Sequence, residues 1–471
     1  MDTIVNISSG AVRGQVEGGV HSFRGIPYAA SVGGANRFRP AQPVEPWDGV
    51  RGATTGGLIQ PQPMMPPPFG GPLPPAGDDS LNLNVWTPDP TASGLPVLVW
   101  IHGGAYLNGA GSIAWYDGSR LAARGQVVVT INYRLGALGF IGGGNWGTLD
   151  QICALEWVNR HIGAFGGDSG NVTIFGESAG GSAVLSLLAA PAAAGLFHRV
   201  WAMSPSINQL RTLGRADEWA DEFFRAAGVS SLDEARGLPI DSVLAAQAEV
   251  IAMPSSGYDM FSPAAGGAGL ADDVLTAAAA NPVPVSIGTN RDESLLFLAF
   301  DPALASAGDD RWAEHLEQQF GADADRARAA YEAARPGAST VARIAAVQTD
   351  VTFRRPAQRL AEARAEAGAL TWMYWFTWAS PALGGILGSA HALDIPFAFD
   401  NVHAPGAEMM LGDGPELPVL AARFADEITA FAAAGEAGWP RFDSAQRATL
   451  RFDATFELMH DPEPELRQLH P

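Results

Sequence analysis

The chain has little of what many proteins use for covalent or electrostatic binding. Cys153 is the only cysteine among 471 residues, so no disulfide can form within the chain. Lys and Arg together number 29 against 50 Asp and Glu, which gives a formal net charge of −21. Nucleic acids and anionic membrane surfaces favour basic patches. The composition therefore argues against both kinds of partner.

Long hydrophobic runs are also lacking. No stretch reaches the about 20 apolar residues that span a bilayer. The N-terminus has no basic segment followed by an apolar core, the pattern that directs secretion. We therefore expect a soluble, cytoplasmic protein, although a mature secreted form would show the same features. Hydrophobic residues make up 47% and charged residues 17%, a balance typical of a folded globular chain.

Several apolar runs predict strands that are buried on both faces of a parallel sheet. They lie at 95–102, 127–132, 172–175 and 283–287. Helical patterns separate them, for example at 149–161 and 182–190. Alternation broken by glycines over residues 1–30 predicts antiparallel strands at the N-terminus. We expect an α/β fold with a mostly parallel central sheet and helices on both faces.

Composition also assigns the remaining segments. Residues 61–77 are so rich in proline and glycine that they must form a loop, and a lid beside the functional site is one interpretation. Residues 210–280 and 306–368 are rich in Ala, Glu and Arg and are mainly helical in pattern. They predict insertions that form a cap or side lobe on a single domain of residues 1–471.

The pattern G-x-S-x-G at residues 176–180 places a serine, Ser178, between two glycines. Alone the pattern is weak, but here it follows a predicted strand and opens a predicted helix. In an α/β-hydrolase that context holds the nucleophilic serine on a strained turn. The helix N-terminus also directs the positive end of its dipole at the serine oxygen. The alternative is a glycine-rich turn whose serine only caps the helix.

Acyl transfer places negative charge on the former carbonyl oxygen, and each preorganised N–H donor stabilises that charge by about 3 kcal/mol. One donor is expected at Ala179, directly after the serine, and others at Gly103 and Gly104, which follow an earlier strand. A simple turn at the end of that strand is the alternative. His102 precedes the serine, which is the wrong order for a base in this fold, so we interpret it as a residue that shapes the turn.

The serine needs a base, and the base needs a carboxylate to orient it. Asp292 and Glu293 both follow a late buried strand, and their spacing does not separate them. His391 lies in a loop of small residues after an aromatic, strand-like segment at 370–378. It is our preferred base, with His403 as the second choice.

Together these motifs resemble the type B carboxylesterases, the family that includes cholinesterases and bacterial p-nitrobenzyl esterases. The resemblance covers nearly the whole chain. Its motifs are Phe23-Arg-Gly-Ile-Pro-Tyr28, Leu81-Asn-Leu-Asn-Val-Trp86, Trp100-Ile-His-Gly-Gly104, Asn132-Tyr-Arg-Leu-Gly136, Phe165-Gly-Gly-Asp168, Asn171-Val-Thr-Ile-Phe-Gly-Glu-Ser-Ala-Gly-Gly181, Gly288-Thr-Asn-Arg-Asp-Glu293 and His391-Ala-Leu-Asp-Ile-Pro-Phe397.

The resemblance implies a single α/β-hydrolase catalytic domain. The triad it implies is Ser178, Glu293 and His391. The resemblance thereby favours Glu293 over Asp292 as the acid. It also implies the oxyanion donors Gly103, Gly104 and Ala179. The bacterial branch is closer, because animal members carry disulfide loops that one cysteine cannot form. The segment Met203-Ser-Pro-Ser206 departs from the family's serine-glycine, so the mechanism transfers better than the substrate preference.

The prediction is a carboxylic-ester hydrolase that works through an acyl-enzyme on a small, uncharged and partly apolar ester. Glu177 beside the serine is expected to bias the site against anions or to serve as a hydrogen-bond partner behind it. No metal or other cofactor is predicted, since the acid–histidine spacings match no zinc motif. Two alternatives stay open. One is a specialised hydrolase of a carbamate, amide, lactone or toxin ester with the same triad, and the other is a non-catalytic binding member.

Overall fold

Strands form the centre of the fold. The computed structural model describes residues 2–63, 74–254, 259–304 and 306–470. The strands in these ranges are β1 (Asp2–Ile7), β2 (Gly10–Glu17), β3 (Val20–Pro27), β4 (Val50–Gly52), β5 (Asn82–Thr87), β6 (Leu95–Ile101), β7 (Val127–Ile131), β8 (Gly167–Glu177), β9 (Arg199–Met203), β10 (Arg211–Thr212), β11 (Ala264–Ala265), β12 (Val285–Asn290), β13 (Thr371–Phe376), β14 (Ala448–Phe452) and β15 (Glu457–His460).

One sheet contains thirteen of these strands, in the order β1-β2-β3-β5-β7-β6-β8-β9-β12-β13-β14-β15, with β4 beside β2. All neighbours from β7 to β14 in that order pair in parallel. Antiparallel pairing joins β1, β2, β3 and β5 at one side and β15 at the other. The mostly parallel sheet with antiparallel N-terminal strands is thus confirmed.

Strand β6 shows why the central strands are continuous apolar runs. Val97 and Val99 are buried in the core on one face of the sheet, and Leu98 and Trp100 in the core on the other. Successive side chains of a strand point to opposite faces, so a strand covered on both sides has no polar position to alternate with.

Helices cover both faces of the sheet. They are α1 (Ser119–Ala122), α2 (Gly136–Phe140), α3 (Trp146–His161), α4 (Ala179–Leu187), α5 (Leu213–Ala227), α6 (Leu232–Arg236), α7 (Ile240–Ile251), α8 (Val274–Ala280), α9 (Leu295–Leu298), α10 (Asp309–Phe320), α11 (Ala324–Ala334), α12 (Thr340–Thr349), α13 (Arg355–Glu366), α14 (Ile395–Ala398), α15 (Glu408–Leu411), α16 (Leu417–Ala434) and α17 (Pro464–Leu469). Helices α3, α4, α8 and α13 contribute to the core that contains Val97 and Val99. Helices α1, α14 and α16 contribute to the core of the opposite face.

The two segments expected to be helical insertions contain α5 to α8 and α10 to α13. A single turn of π-helix, Asp350–Arg354, joins α12 to α13. The role of these segments as a cap stays a prediction. Of the proline-rich loop 61–77, residues 64–73 lie outside the described residues, so its interpretation as a lid also stays a prediction. Within the described ranges, no helix is long and apolar enough to cross a membrane.

A buried ion pair joins the loop after β7 to α3. Nε and Nη2 of Arg134 donate to the two carboxylate oxygens of Asp150, both at 2.7 Å. The backbone N–H of Arg134 donates to the same carboxylate at 3.1 Å. Arg134 is 1% exposed and Asp150 is fully buried, so each side chain depends on the other to satisfy its charge.

We predict that Asp150→Ala lowers the free energy of unfolding by about 3–5 kcal/mol, because it leaves a buried guanidinium unpaired. Denaturation in urea measures the change. Glu156→Ala on the same helix is the matched control, since Glu156 pairs with Arg160 at an exposed position. The control should cost less than about 1 kcal/mol. An equal, small loss in both variants would contradict the prediction.

Candidate active site

Ser178 lies on the turn between β8 and α4, with φ 59° and ψ −121°. A non-glycine residue adopts such a conformation only where its surroundings impose it. Here the backbone N–H of Ser178 donates to the Met203 carbonyl of β9 at 3.0 Å, and its own carbonyl accepts the N–H of Ser182 at 2.9 Å. The serine is therefore held at the carboxyl edge of the sheet.

The glycines on either side of the serine are required by close backbone contacts. A Cβ at Gly180 would lie 2.1 Å from the Ile101 carbonyl oxygen of β6. A Cβ at Gly176 would lie 2.6 Å from the carbonyl oxygens of both Gly180 and Ile101. The pattern G-x-S-x-G thus reflects a strand and a helix that approach too closely for any side chain.

The loop after β6 lies against this turn. A Cβ at Gly103 would lie 2.5 Å from the Glu177 carbonyl oxygen and 3.1 Å from Cβ of Ser178. Gly104 has φ 105°, and Ala105 continues the left-handed backbone with φ 54°. Successive backbone N–H groups in a turn can point to one side and form an anion-binding concavity.

Four N–H groups around the serine are available to a ligand. Those of Gly103, Gly104, Ala105 and Ala179 donate no hydrogen bond to any other described residue. Three of these are the donors expected from the sequence. Ala105 was missed, because alanine does not signal a left-handed backbone; its position directly after two glycines is the only hint.

Glu293 and His391 are in direct contact. Nδ1 of His391 donates to Oε2 of Glu293 at 2.6 Å, and the second carboxylate oxygen accepts the backbone N–H of Asn290 at 2.7 Å. Glu293 is fully buried and His391 is 4% exposed. This bond fixes the tautomer, so that Nε2 of His391 is the free nitrogen of the neutral ring.

The other ring nitrogen of His391 faces Glu177. Its Nε2 lies 3.1 Å from Oε1 of Glu177. In the described part of the chain, no hydrogen bond joins the ring to the hydroxyl of Ser178. The structure therefore brings Glu293 and His391 together, and Ser178 directly follows in the chain the residue, Glu177, whose carboxylate Nε2 contacts.

Two aromatic rings pack on the imidazole of His391. Phe353 lies with its ring centroid 4.7 Å away and Phe297 with its centroid 5.4 Å away. Phe353 belongs to the π-helical turn, a feature often found at functional sites, while Phe297 belongs to α9. Sequence reasoning missed both, because a phenylalanine in a helical pattern gives no sign of what it packs against.

Buried carboxylates set the charge of this site. Burial raises the pKa of Glu177, and burial followed by repulsion from Glu293 raises the pKa of Asp394. For His391, burial opposes the charged form. Attraction to Glu177 and the hydrogen bond to Glu293 outweigh it and raise the pKa of the imidazole above its ordinary value.

The remaining histidine candidates are elsewhere. His102 is buried, stacks on Tyr133 with centroids 4.5 Å apart, and donates from Nδ1 to the Gly103 carbonyl at 2.8 Å. Burial lowers its pKa to about 4, so it stays neutral and supports the loop. His403 is exposed, on a loop after α14. No group of three His, Cys, Asp or Glu residues that could hold a metal occurs among the described residues.

A mostly parallel sheet with this serine turn and an acid–histidine pair at its carboxyl edge defines an α/β-hydrolase. The family model described as the carboxylesterase family matches residues 1–465. Para-nitrobenzyl esterase of Bacillus subtilis (strain 168) is 36% identical over 99% of this chain and 98% of its own length. The chain belongs to the carboxylesterase family.

Two further comparisons agree. Fumonisin B1 esterase of Sphingopyxis macrogoltabida is 32% identical over 92% of this chain and 84% of its own length. A solved structure of a Geobacillus stearothermophilus carboxylesterase matches with a TM-score of 0.87 and 34% identity, covering 100% of both chains. The chain is thus a serine hydrolase that acts on carboxylic esters, as the sequence predicted.

We predict that kcat/KM for a neutral ester falls on the acid side with an apparent pKa above 6.5, the ordinary value for histidine. A base must be neutral to accept a proton, and the carboxylates hold His391 in its charged form to higher pH. Glu177→Gln removes one negative charge beside Nε2, which lowers the pKa of the imidazole. The acid limb of the profile should therefore move about one unit or more toward lower pH.

Profiles of kcat/KM from pH 5 to 10 report the free enzyme and test this shift. Glu156→Gln is the control, because Glu156 is exposed on α3 and should leave the profile unchanged. An acid limb in the same place for Glu177→Gln and the unmodified chain would contradict the electrostatic account.

Proposed function

We propose that the ester is cleaved through an acyl-enzyme on Ser178, with His391 as general base and acid and Glu293 as the carboxylate that orients it. The observation that carries this assignment is the 2.6 Å hydrogen bond from Nδ1 of His391 to Glu293. It supports the assignment because it leaves Nε2 as the proton acceptor at the edge of the sheet where Ser178 turns.

The proposed reaction has two steps. Oγ of Ser178 attacks the ester carbonyl carbon while its proton passes to Nε2 of His391. The tetrahedral species then expels the alcohol, which takes that proton, and leaves the acyl group on the serine. A water molecule attacks the acyl-enzyme, gives its proton to Nε2, and the acid leaves as the proton returns to Ser178.

The oxyanion of both tetrahedral species is proposed to bind at the N–H groups of Gly103, Gly104 and Ala179, with Ala105 as a further donor. This assignment is supported because these N–H groups have no other hydrogen-bond partner among the described residues. Such donors cost no reorganisation during the reaction, because the left-handed loop already holds them in place.

Glu177 is proposed to hold the resting imidazole. Since Nε2 of His391 lies 3.1 Å from Oε1 of Glu177, the ring must turn toward Ser178 to accept the serine proton. The carboxylate also stabilises the imidazolium that forms during attack and disfavours anionic substrates.

The proposed substrate is a small ester that is uncharged and partly apolar. Phe297 is 46% exposed although its ring lies against His391, so an apolar group entering the site would bury it. An anionic group at the same place would lose its hydration beside the buried carboxyl groups of Glu177 and Asp394, and at alkaline pH, where these groups ionise, they would also repel it. The net charge of −21 gives no support to nucleic-acid or membrane binding, and a cytoplasmic location stays a prediction of the sequence.

We predict that Ser178→Ala lowers kcat for p-nitrophenyl butyrate by at least about 1,000-fold, because no acyl-enzyme can form. The release of p-nitrophenol measures it. Ser186→Ala is the matched control, since Ser186 lies on the same helix and its hydroxyl donates to the Ser182 carbonyl at 2.8 Å. Equal rates in Ser178→Ala and the unmodified chain would overturn the proposal.

We also predict a preference set by substrate charge. At pH 8, kcat/KM for p-nitrophenyl butyrate should exceed that for the p-nitrophenyl monoester of succinate by at least about tenfold, because burying one unpaired carboxylate beside others is costly. The two acyl chains have equal numbers of carbon atoms, and the spontaneous release of p-nitrophenol, which the free carboxylate of the succinate ester accelerates, is subtracted from each rate. A para-nitrobenzyl ester, phenmedipham and fumonisin B1 are assayed as well, because the names of three relatives contain these compounds. A faster reaction with the succinate ester would contradict the proposed substrate class.

A further inference from the structure

The carboxylate of Asp292, the acid beside Glu293, contacts the backbone of the loop that carries His391. Its Oδ2 accepts the backbone N–H of Ser389 at 3.0 Å. Its own backbone N–H donates to the carbonyl of Ser389 at 2.9 Å. The two bonds close a ring between the loop after β12 and the loop that carries His391.

We propose that Asp292 is a positioning residue, which fixes the loop of His391 against the loop of Glu293 so that Nε2 can reach the serine. The inference rests on the proposed triad and adds a second acid to it, one that touches no reacting atom. The two adjacent acids then have different roles: Glu293 orients the imidazole, and Asp292 fixes the loop that carries it.

Two further bonds join the same loops. Nδ2 of Asn290 donates to the Ala390 carbonyl at 2.8 Å, and the N–H of His391 donates to the Glu293 carbonyl at 3.2 Å. The Glu293–His391 side-chain bond alone would let the ring pivot about Nδ1. Backbone bonds at successive residues instead fix the Cα from which the ring extends, and a displacement of about 1 Å can cost about 100-fold in rate.

Gly388 shows how closely the carboxylate packs on this loop. A Cβ at Gly388 would lie 2.7 Å from Oδ2 of Asp292, and the glycine has φ 55°. Ser389, the next residue, is fully buried. Without the carboxylate its N–H would lose its partner in a place where water cannot easily replace it.

Charges on the far side hold the carboxylate in this orientation. Oδ1 of Asp292 lies 3.6 Å from Nε of Arg335 and 4.0 Å from Nε of Arg291. Arg335 is 7% exposed, and its Nη1 also donates to Glu463, which in turn accepts a hydrogen bond from Arg354. Asp292 is thus linked to Arg335 at the end of α11 and, through Arg335 and Glu463, to the C-terminal segment of the chain.

Kinetics of Asp292→Ala and Asp292→Asn test the proposal. Asp292→Ala should lower kcat for p-nitrophenyl butyrate by about 10- to 100-fold, with KM changed less than about threefold, because the chemistry and not the binding is disturbed. Asp292→Asn keeps an acceptor for the Ser389 N–H but loses the charge toward Arg335. It should therefore fall between the alanine variant and the unmodified chain, at least about threefold below the latter.

Asp301→Ala is the matched control. Its carboxylate also accepts a backbone N–H, that of Ala303 at 2.8 Å, but outside the two loops. Rates are expressed per acylated site, so that partly unfolded protein does not count. The low-field proton resonance of the Nδ1–H of His391 gives a second readout, which should shift or broaden in Asp292→Ala and stay unchanged in Asp301→Ala.

An unchanged kcat in Asp292→Ala, or a loss confined to KM, overturns the inference. Where the alanine variant does not fold, Asp292→Asn decides alone, and a kcat equal to that of the unmodified chain overturns it. Failure of the proposed function can be distinguished from failure of this inference. Activity retained in Ser178→Ala would contradict the proposed triad itself. If Ser178→Ala is inactive while Asp292→Ala is fully active, only the role of Asp292 is contradicted.

Discussion

The hydrogen bond from His391 to Glu293 joins residues 98 positions apart at 2.6 Å, and most of the architecture around it serves to make that distance possible. Strands β12 and β13 are neighbours and run parallel, with Asn290 opposite Phe376 as their last pair. Their carboxyl ends therefore meet at one edge of the sheet. Strand β8 ends at the same edge, two places along the strand order from β12, and carries the serine turn there.

Concentrating negative charge around a histidine has a clear electrostatic consequence. Glu177, Glu293 and Asp394 are buried around His391, where little water screens them and where burial raises the pKa of Glu177 and Asp394. Such a site favours imidazolium, the form that develops when the serine is deprotonated, so the carboxylates stabilise the transition state more than the resting base. The same arrangement leaves less of His391 in its neutral, proton-accepting form at acid pH. Rate and pH range are therefore coupled through one cluster of side chains.

Features decided by near neighbours in the chain could be predicted from the sequence. Uninterrupted apolar runs predicted the parallel strands β6, β7, β8 and β12, because side chains such as Val99 and Trp100 are buried on opposite faces. The serine turn was predictable because Gly176 and Gly180 mark the tight junction of β8 and α4, which are adjacent in the chain, even though β6, which both glycines also contact, is distant. The resemblance to a known family then favoured Glu293 over Asp292, which spacing alone could not separate.

Features decided by distant contacts could not be predicted in this way. The contact of Nε2 with Glu177, the orientation of Asp292 toward Ser389, and the packing of Phe353 on the imidazole all depend on how loops meet in three dimensions. The central strand β9 and the late strands β14 and β15 also escaped prediction. Strand β15 is a four-residue edge strand that is largely exposed and has no apolar pattern.

The most direct test of the account is to trap the acyl-enzyme. The protein is mixed with excess p-nitrophenyl butyrate, quenched in acid within the first turnover, and analysed by intact mass and peptide mapping. The account predicts one butyryl group per chain, on the peptide that contains Ser178, formed together with a burst of p-nitrophenol. Ester hydrolysis with a butyryl group on any other residue, such as Ser182 or Ser206, would contradict it.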